Sequence, residues 1–260
     1  MITLRSGAAS DVGRVRTSNE DSVFAGARVF VVADGMGGHA AGEVASALAV
    51  ERLARLDDHD GLRPEDIRRE LTQANEDILA AARQDAARGG MGSTVAGLAL
   101  ATVAGSTHWV VFHAGDSRVY RLNPHALVQL TADHTEAAEL VANGVICADQ
   151  AATHPSRHIV TRALGSYPAP EPDLLMLPPS PGDVFLLCSD GLTRELDEPE
   201  IADVMRAMAS PGQAAAALVG RAVERGGRDN VSAVVVEQVH DGAGAAEDRT
   251  IPRATAVTAP

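Results

Sequence analysis

Short apolar runs that stop abruptly at a carboxylate recur along the chain. Val29-Phe30-Val31-Val32-Ala33 leads into Asp34-Gly35-Met36-Gly37-Gly38-His39, and an apolar run of that length reads as a strand buried on both faces. Val184-Phe185-Leu186-Leu187-Cys188 leads into Ser189-Asp190-Gly191 in the same way, and Val110-Val111-Phe112-His113-Ala114 leads into Gly115-Asp116-Ser117 with the glycine moved ahead of the acid. Asp229-Asn230 reverses the order and stands immediately before the apolar run 231–236. Between these runs, 42–56 and 65–88 carry apolar residues at helical spacing, and Pro64 sits where a first helical turn would begin. Strands are expected at 2–9, 95–103, 107–114, 117–122 and 126–130. Their close succession predicts antiparallel pairing, because parallel crossovers need more chain, and it disfavours a doubly wound parallel sheet. From 133 to 157 the apolar pattern weakens into a lid-like excursion with short helices expected at 136–141 and 149–153. Strands resume at 159–164, 173–177 and 184–188, helices at 198–208 and 213–225, and the last strand closes near Glu237. The Gly, Ala, Pro and Thr of 241–260 have too little apolar bulk to fold, which predicts a flexible tail.

Composition narrows the partners. The 260 residues can bury a full core and suit one domain, 1–240, with the excursion at about 133–157 as an insertion in it. A net charge of −13 argues against a nucleic-acid partner, since no basic surface is available to release counterions from a phosphate backbone. Cys147 and Cys188 are the only cysteines, and Cys188 lies inside an apolar run, which suits a buried thiol in a reducing compartment. The amino terminus lacks a signal peptide's apolar core and no uncharged apolar run reaches membrane-spanning length. A cytoplasmic monomer is the expectation.

The four acids raise a question of charge. Asp34, Asp116, Asp190 and Asp229 would repel one another if gathered, unless a cation lay among them. The chain contains no lysine to serve as that cation. A hard divalent metal held by carboxylate oxygens and carbonyls fits this donor set better than zinc, which favours His and Cys. The polar segment 14–22 adds Glu20, Asp21 and Arg16, and an arginine beside a metal is well shaped to hold a phosphate by two parallel hydrogen bonds.

Taken in order, Arg16 with Asn19-Glu20-Asp21, Asp34-Gly35-Met36-Gly37-Gly38-His39, Gly92-Ser93-Thr94, Gly115-Asp116-Ser117-Arg118, Asp133-His134, Thr161-Arg162-Ala163-Leu164-Gly165, Ser189-Asp190-Gly191-Leu192 and Asp229-Asn230-Val231 form a series. This ordered set resembles the metal-dependent serine/threonine protein phosphatases of the PP2C (PPM) family in their bacterial form. The resemblance implies an α+β fold, a four-layer αββα sandwich of two antiparallel β-sheets flanked by helices, with the excursion as a flap. It implies two Mn²⁺ or Mg²⁺ ions held by Asp34, Asp190 and Asp229 with the Gly35 carbonyl, Glu20 and Asp21 acting through bound waters, and Asp116 with Asp190 at a third, weaker ion. Arg16 would grip the substrate phosphate. The implied reaction is hydrolysis of phosphoserine and phosphothreonine in proteins by direct attack of a metal-bridging hydroxide, reversing bacterial Ser/Thr kinases, so phosphorylated proteins are the expected partners.

The departures from that pattern bear on the proton donor. Eukaryotic relatives place a histidine directly after the Asp-Gly, where this chain has Met36, so neither His39 nor His134 is assigned to catalysis. An aspartyl-phosphate phosphatase would need a second acid two residues after Asp34, where Met36 stands, and a lysine. A calcineurin-like enzyme would need several metal-binding histidines in its motifs. The alternative from another class is a metal-binding scaffold that recognises phosphoproteins without hydrolysing them.

Overall fold

The computed structural model describes residues 2–37 and 41–239; His39 and the tail expected at 241–260 lie outside the described residues. The chain order is β1 (Thr3–Asp11), β2 (Asp21–Ala25), β3 (Val29–Met36), α1 (Ala41–Ala54), α2 (Pro64–Gln84), β4 (Gly92–Ser93), β5 (Val95–Val103), β6 (Ser106–Ala114), β7 (Arg118–Leu122), β8 (Leu127–Gln129), α3 (Glu136–Ala142), α4 (Ala148–Ala152), β9 (Asp173–Leu177), β10 (Val184–Cys188), α5 (Asp190–Thr193), α6 (Glu198–Ala207), α7 (Pro211–Arg225) and β11 (Val231–Val239). A five-stranded sheet runs β1-β11-β10-β7-β8, and a six-stranded sheet runs β2-β3-β5-β6-β9 with β4 paired to the end of β3. Every pairing is antiparallel.

Three apolar interfaces make four layers. Phe30, Val32, Leu98 and Trp109 of one sheet meet Val119, Phe185, Leu187 and Val234 of the other in the middle of the molecule. Because side chains alternate across a strand, the neighbours Val29, Val31 and Ala33 face outward, where α1 and α2 cover them with Ala45, Leu53, Ile67 and Ile78. Leu186, Cys188, Val231 and Val235 likewise face α6 and α7, packing on Ile201, Val204, Leu218 and Ala222. Strands covered on both faces must be apolar throughout, which is why β3, β10 and β11 read as unbroken runs. The αββα sandwich follows.

Some elements differ from the sequence reading. The strand expected at 159–164 is absent: Val160 makes a single bridge to Thr135 and Leu164 a single bridge to Ser93. Its backbone groups pair with different partners, Thr161 N–H with the His134 carbonyl at 2.8 Å and Leu164 N–H with the Ser93 carbonyl at 2.8 Å, and Gly165 then turns the chain away at φ +91°. Asn75 of α2 tethers that turn, its Oδ1 accepting from Gly165 N at 2.7 Å and Ser166 N at 3.2 Å. The excursion between β8 and β9 carries only α3 and α4. β2 and the single turn α5 went unforeseen, and both carry acids.

Candidate metal centre

Antiparallel pairing brings the acids to one edge of the sandwich. In the six-stranded sheet Asp21 at the start of β2 sits directly opposite Asp34 near the end of β3. In the other sheet the end of β10 lies beside the start of β11, which places Asp190 next to Asp229. Asp116 occupies the turn joining β6 to β7 at the same edge. Asp21, Asp116 and Asp190 are buried, and Asp34 and Asp229 are half-buried.

Neighbouring hydroxyls and backbone hold Asp34 and Asp21. Asp34 N–H donates to Thr94 Oγ1 at 3.1 Å and its carbonyl accepts from Thr94 N at 2.9 Å, while Thr94 Oγ1 meets Ser117 Oγ at 2.7 Å. Ser189 Oγ donates to Asp21 Oδ2 at 2.7 Å, and Asp21 Oδ1 is buried with no partner. Asn230, which sequence reasoning left out of the site, ties three segments together. Its Oδ1 accepts from Glu20 N at 2.8 Å, and its Nδ2 donates to the Val12 and Ser18 carbonyls at 2.9 Å each. Gly35 is required by close approach, since a Cβ there would lie 2.0 Å from the Gly42 carbonyl oxygen and 2.6 Å from that of Glu20. The neighbours that forbid a side chain are thus the chain's own carbonyls.

The electrostatics of the cluster are those of crowded like charges. Burial, then the charges of Asp21, Asp190, Asp116 and Asp229, hold the Asp34 carboxyl well above the usual carboxylate range. Burial, then Asp116, pushes Asp190 up to about 8, against the pull of Arg194. Burial raises Asp21 to about 6 despite its serine hydrogen bonds. Asp116 is raised by burial and then by Asp133, and Glu20 chiefly by burial.

Two arginines enter this cluster, so the lack of lysine does not leave the acids without an internal cation. Arg16 grips Asp229, Nε to Oδ1 at 2.9 Å and Nη2 to Oδ2 at 3.0 Å. Arg194 bridges Asp190 and Asp229, the second contact from Nη1 to Oδ2 at 2.5 Å. Its position four residues after Asp190, in a segment too short to show helical periodicity, was the available signal.

His113, His134 and Asp173 form a second cluster, with donor atoms within 4.8 Å of one another. The two imidazoles stack at 4.4 Å with planes 14° apart. An ion about 2 Å from a nitrogen of each ring cannot lie in two nearly parallel planes that far apart, so the pair does not chelate jointly. Hydrogen bonding accounts for the cluster instead. His134 Nδ1 accepts from Gly115 N at 3.1 Å, so its Nε2 carries the proton and donates to Asp173 Oδ2 at 3.2 Å. His134 N–H also donates to the Gly115 carbonyl at 3.0 Å. His134 therefore fastens the start of the excursion to the turn that carries Asp116.

A family profile described as Protein phosphatase 2C matches residues 14–221. Serine/threonine protein phosphatase PstP of Mycobacterium tuberculosis is 40% identical over 242 residues, which cover 92% of this chain and 46% of the relative, so the chain spans about half of that protein's length. Serine/threonine phosphatase stp of Listeria welshimeri is 37% identical over 240 residues, covering 88% of this chain and 94% of the relative. Among solved structures, the catalytic domain of PstP in complex with two manganese ions is similar with a TM-score of 0.83 at 38% identity, covering 92% of this chain and all of that one.

Proposed function

This chain belongs to the protein phosphatase 2C family, and from that premise we propose that it hydrolyses phosphoserine and phosphothreonine in proteins with the help of divalent metal. The observation that carries the reading is the convergence of Asp21, Asp34, Asp116, Asp190 and Asp229 at one edge of the sandwich, where burial and neighbouring acids raise the carboxyls of Asp21, Asp34, Asp116 and Asp190. The donor set fits hard cations, and the buried, partnerless Asp21 Oδ1 supplies an acceptor that such a cation or its water would satisfy.

Asp34, Asp190 and Asp229 would hold two Mn²⁺ or Mg²⁺ ions together with the Gly35 carbonyl, Glu20 and Asp21 would act through waters, and Asp116 with Asp190 would hold a third. Such ions supply the charge that stabilises the phosphoryl oxygens and lower the pKa of water enough for it to attack phosphorus at neutral pH. The chain's own part is positional. Thr94 and Ser189 fix Asp34 and Asp21, and Asn230 fixes the backbone at Glu20. Arg16 spends Nε and Nη2 on Asp229, and its half-exposed side chain offers Nη1 to a phosphoryl oxygen. The flap is the excursion at about 133–157 within a 1–240 catalytic domain. Phosphorylated Ser/Thr kinases or their targets are the substrates this reading favours, and a cytoplasmic monomer suits the free Cys147 and Cys188. Among the described residues no helix is long and apolar enough to cross a membrane.

A phosphothreonine peptide incubated with the full chain and Mn²⁺ tests the proposal. Release of inorganic phosphate that EDTA abolishes is expected. Tight peptide binding without release would replace the enzyme by a phosphoprotein-recognition scaffold.

A further inference from the structure

The bridge made by Arg194 has consequences for the metal. Asp190 opens α5 at the end of β10, and Arg194 lies four residues on, so one helical turn returns its guanidinium to the Asp190 carboxylate. The same guanidinium reaches Asp229 Oδ2, an atom belonging to the loop before β11. Arg16 touches Asp229 alone of the five acids, whereas Arg194 cross-links two that come from different strands. Its side chain is 31% exposed, so it has an open side toward which it can be displaced.

We propose that Arg194 is a built-in competitor for the divalent cation, occupying the carboxylates of Asp190 and Asp229 until the ion displaces it. The inference rests on the metal-dependent reading above. Both cations need the same oxygens. A hard divalent ion draws its carboxylate oxygens to about 2.0–2.6 Å, whereas a guanidinium nitrogen keeps them at hydrogen-bonding distance and so holds the two acids farther apart. In the metal-free protein the same contacts offset the repulsion within the acid cluster. Arg194 therefore sets the metal concentration at which the site fills, and removing it makes filling easier while leaving the empty site less stable.

Calorimetric titration of Mn²⁺ into the metal-free full chain, with thermal denaturation in EDTA, tests this on Arg194→Ala and on Arg194→Met, which keeps length without charge. Arg5→Ala, at an exposed pair with Glu237 on β1, controls for the loss of one positive charge. Both Arg194 variants should bind the first Mn²⁺ about tenfold more tightly than wild type, the size expected for losing charge-assisted contacts, and should melt earlier in EDTA. Arg5→Ala should do neither. Binding within twofold of wild type in both Arg194 variants, weaker binding, or an equal gain in Arg5→Ala would overturn the proposal. A wild-type chain that takes up no Mn²⁺ would instead remove the metal centre itself, and the competitor with it.

Discussion

Asp34 is the residue at which function and stability pull in opposite directions. Its carboxyl lies in the middle of the cluster, raised by burial and by four other acids, so the metal-free fold bears its charge at a cost. Asp34→Ala should lower kcat/KM by about three orders of magnitude or more, because the proposed metal centre would lose a carboxylate ligand. The same variant should melt a few degrees higher than wild type in EDTA, since a source of like-charge repulsion is gone. Steady-state phosphopeptide kinetics and thermal scans check the two halves, and a lower midpoint in EDTA would show Asp34 to be a structural acid. Arg16 has a partner that the sequence did not disclose. Motif position marked it as a phosphate ligand, yet its guanidinium also clamps Asp229 in two places. Arg16→Ala is expected to raise KM for a phosphopeptide about tenfold with a smaller fall in kcat; a normal KM would assign Arg16 to holding Asp229 alone.

At the scale of elements, the contact between the end of β3 and the start of α1 decides whether the edge can form. A methyl group at position 35 would lie 2.0 Å from the Gly42 carbonyl oxygen, so Gly35→Ala must push helix and strand apart. A loss of about 1–3 kcal/mol is expected from chemical denaturation, together with weaker Mn²⁺ binding, and an unchanged midpoint would show that α1 can shift freely. The strands bearing Asp34, Asp116 and Asp190 and the acid before β11 were legible in the sequence because burial on both faces leaves continuous apolar runs. β2 was missed because Asp21–Ala25 is short and only partly apolar, and α5 because a single turn has no period to detect. The segment 159–164 had strand composition but its partners are isolated residues, a tertiary outcome that composition does not contain. The same limit applies to the site. Acids at strand ends announce themselves, whereas Asn230 and Arg194 act through partners far away in sequence or hidden in a turn. His134 belongs with these, since its importance lies in accepting Gly115 N–H across a gap of 19 residues.

For the whole molecule, the raised acids make stability depend on pH in a direction that metal reverses. Asp190 is pushed up to about 8, Asp34 higher than the usual range and Asp21 to about 6, whereas in the unfolded chain each titrates at about 3.9. Between those limits the metal-free native state binds more protons than the unfolded state, so its stability falls as pH rises. His134 and His158 act with the opposite sign, because burial holds both below the usual imidazole value. Their contribution grows as pH rises and is complete above the unfolded value of about 6.5. The range from about pH 7 to 8 therefore reports the raised carboxyls, Asp190 foremost, because the histidines are neutral there in both states and the Cys188 thiol, which burial pushes up to about 12, stays protonated below its unfolded value of about 8.5. In that range the melting temperature in EDTA should fall with pH. With saturating Mn²⁺ it should hold or rise, since the ions bind the deprotonated carboxylates and displace their protons. The gap between the two curves should widen toward pH 8, and Asp190→Asn, which cannot ionise, should flatten the EDTA curve. Parallel curves in EDTA and Mn²⁺, or a slope that survives Asp190→Asn and Asp34→Asn together, would mean that these carboxylates are not the groups that the metal neutralises.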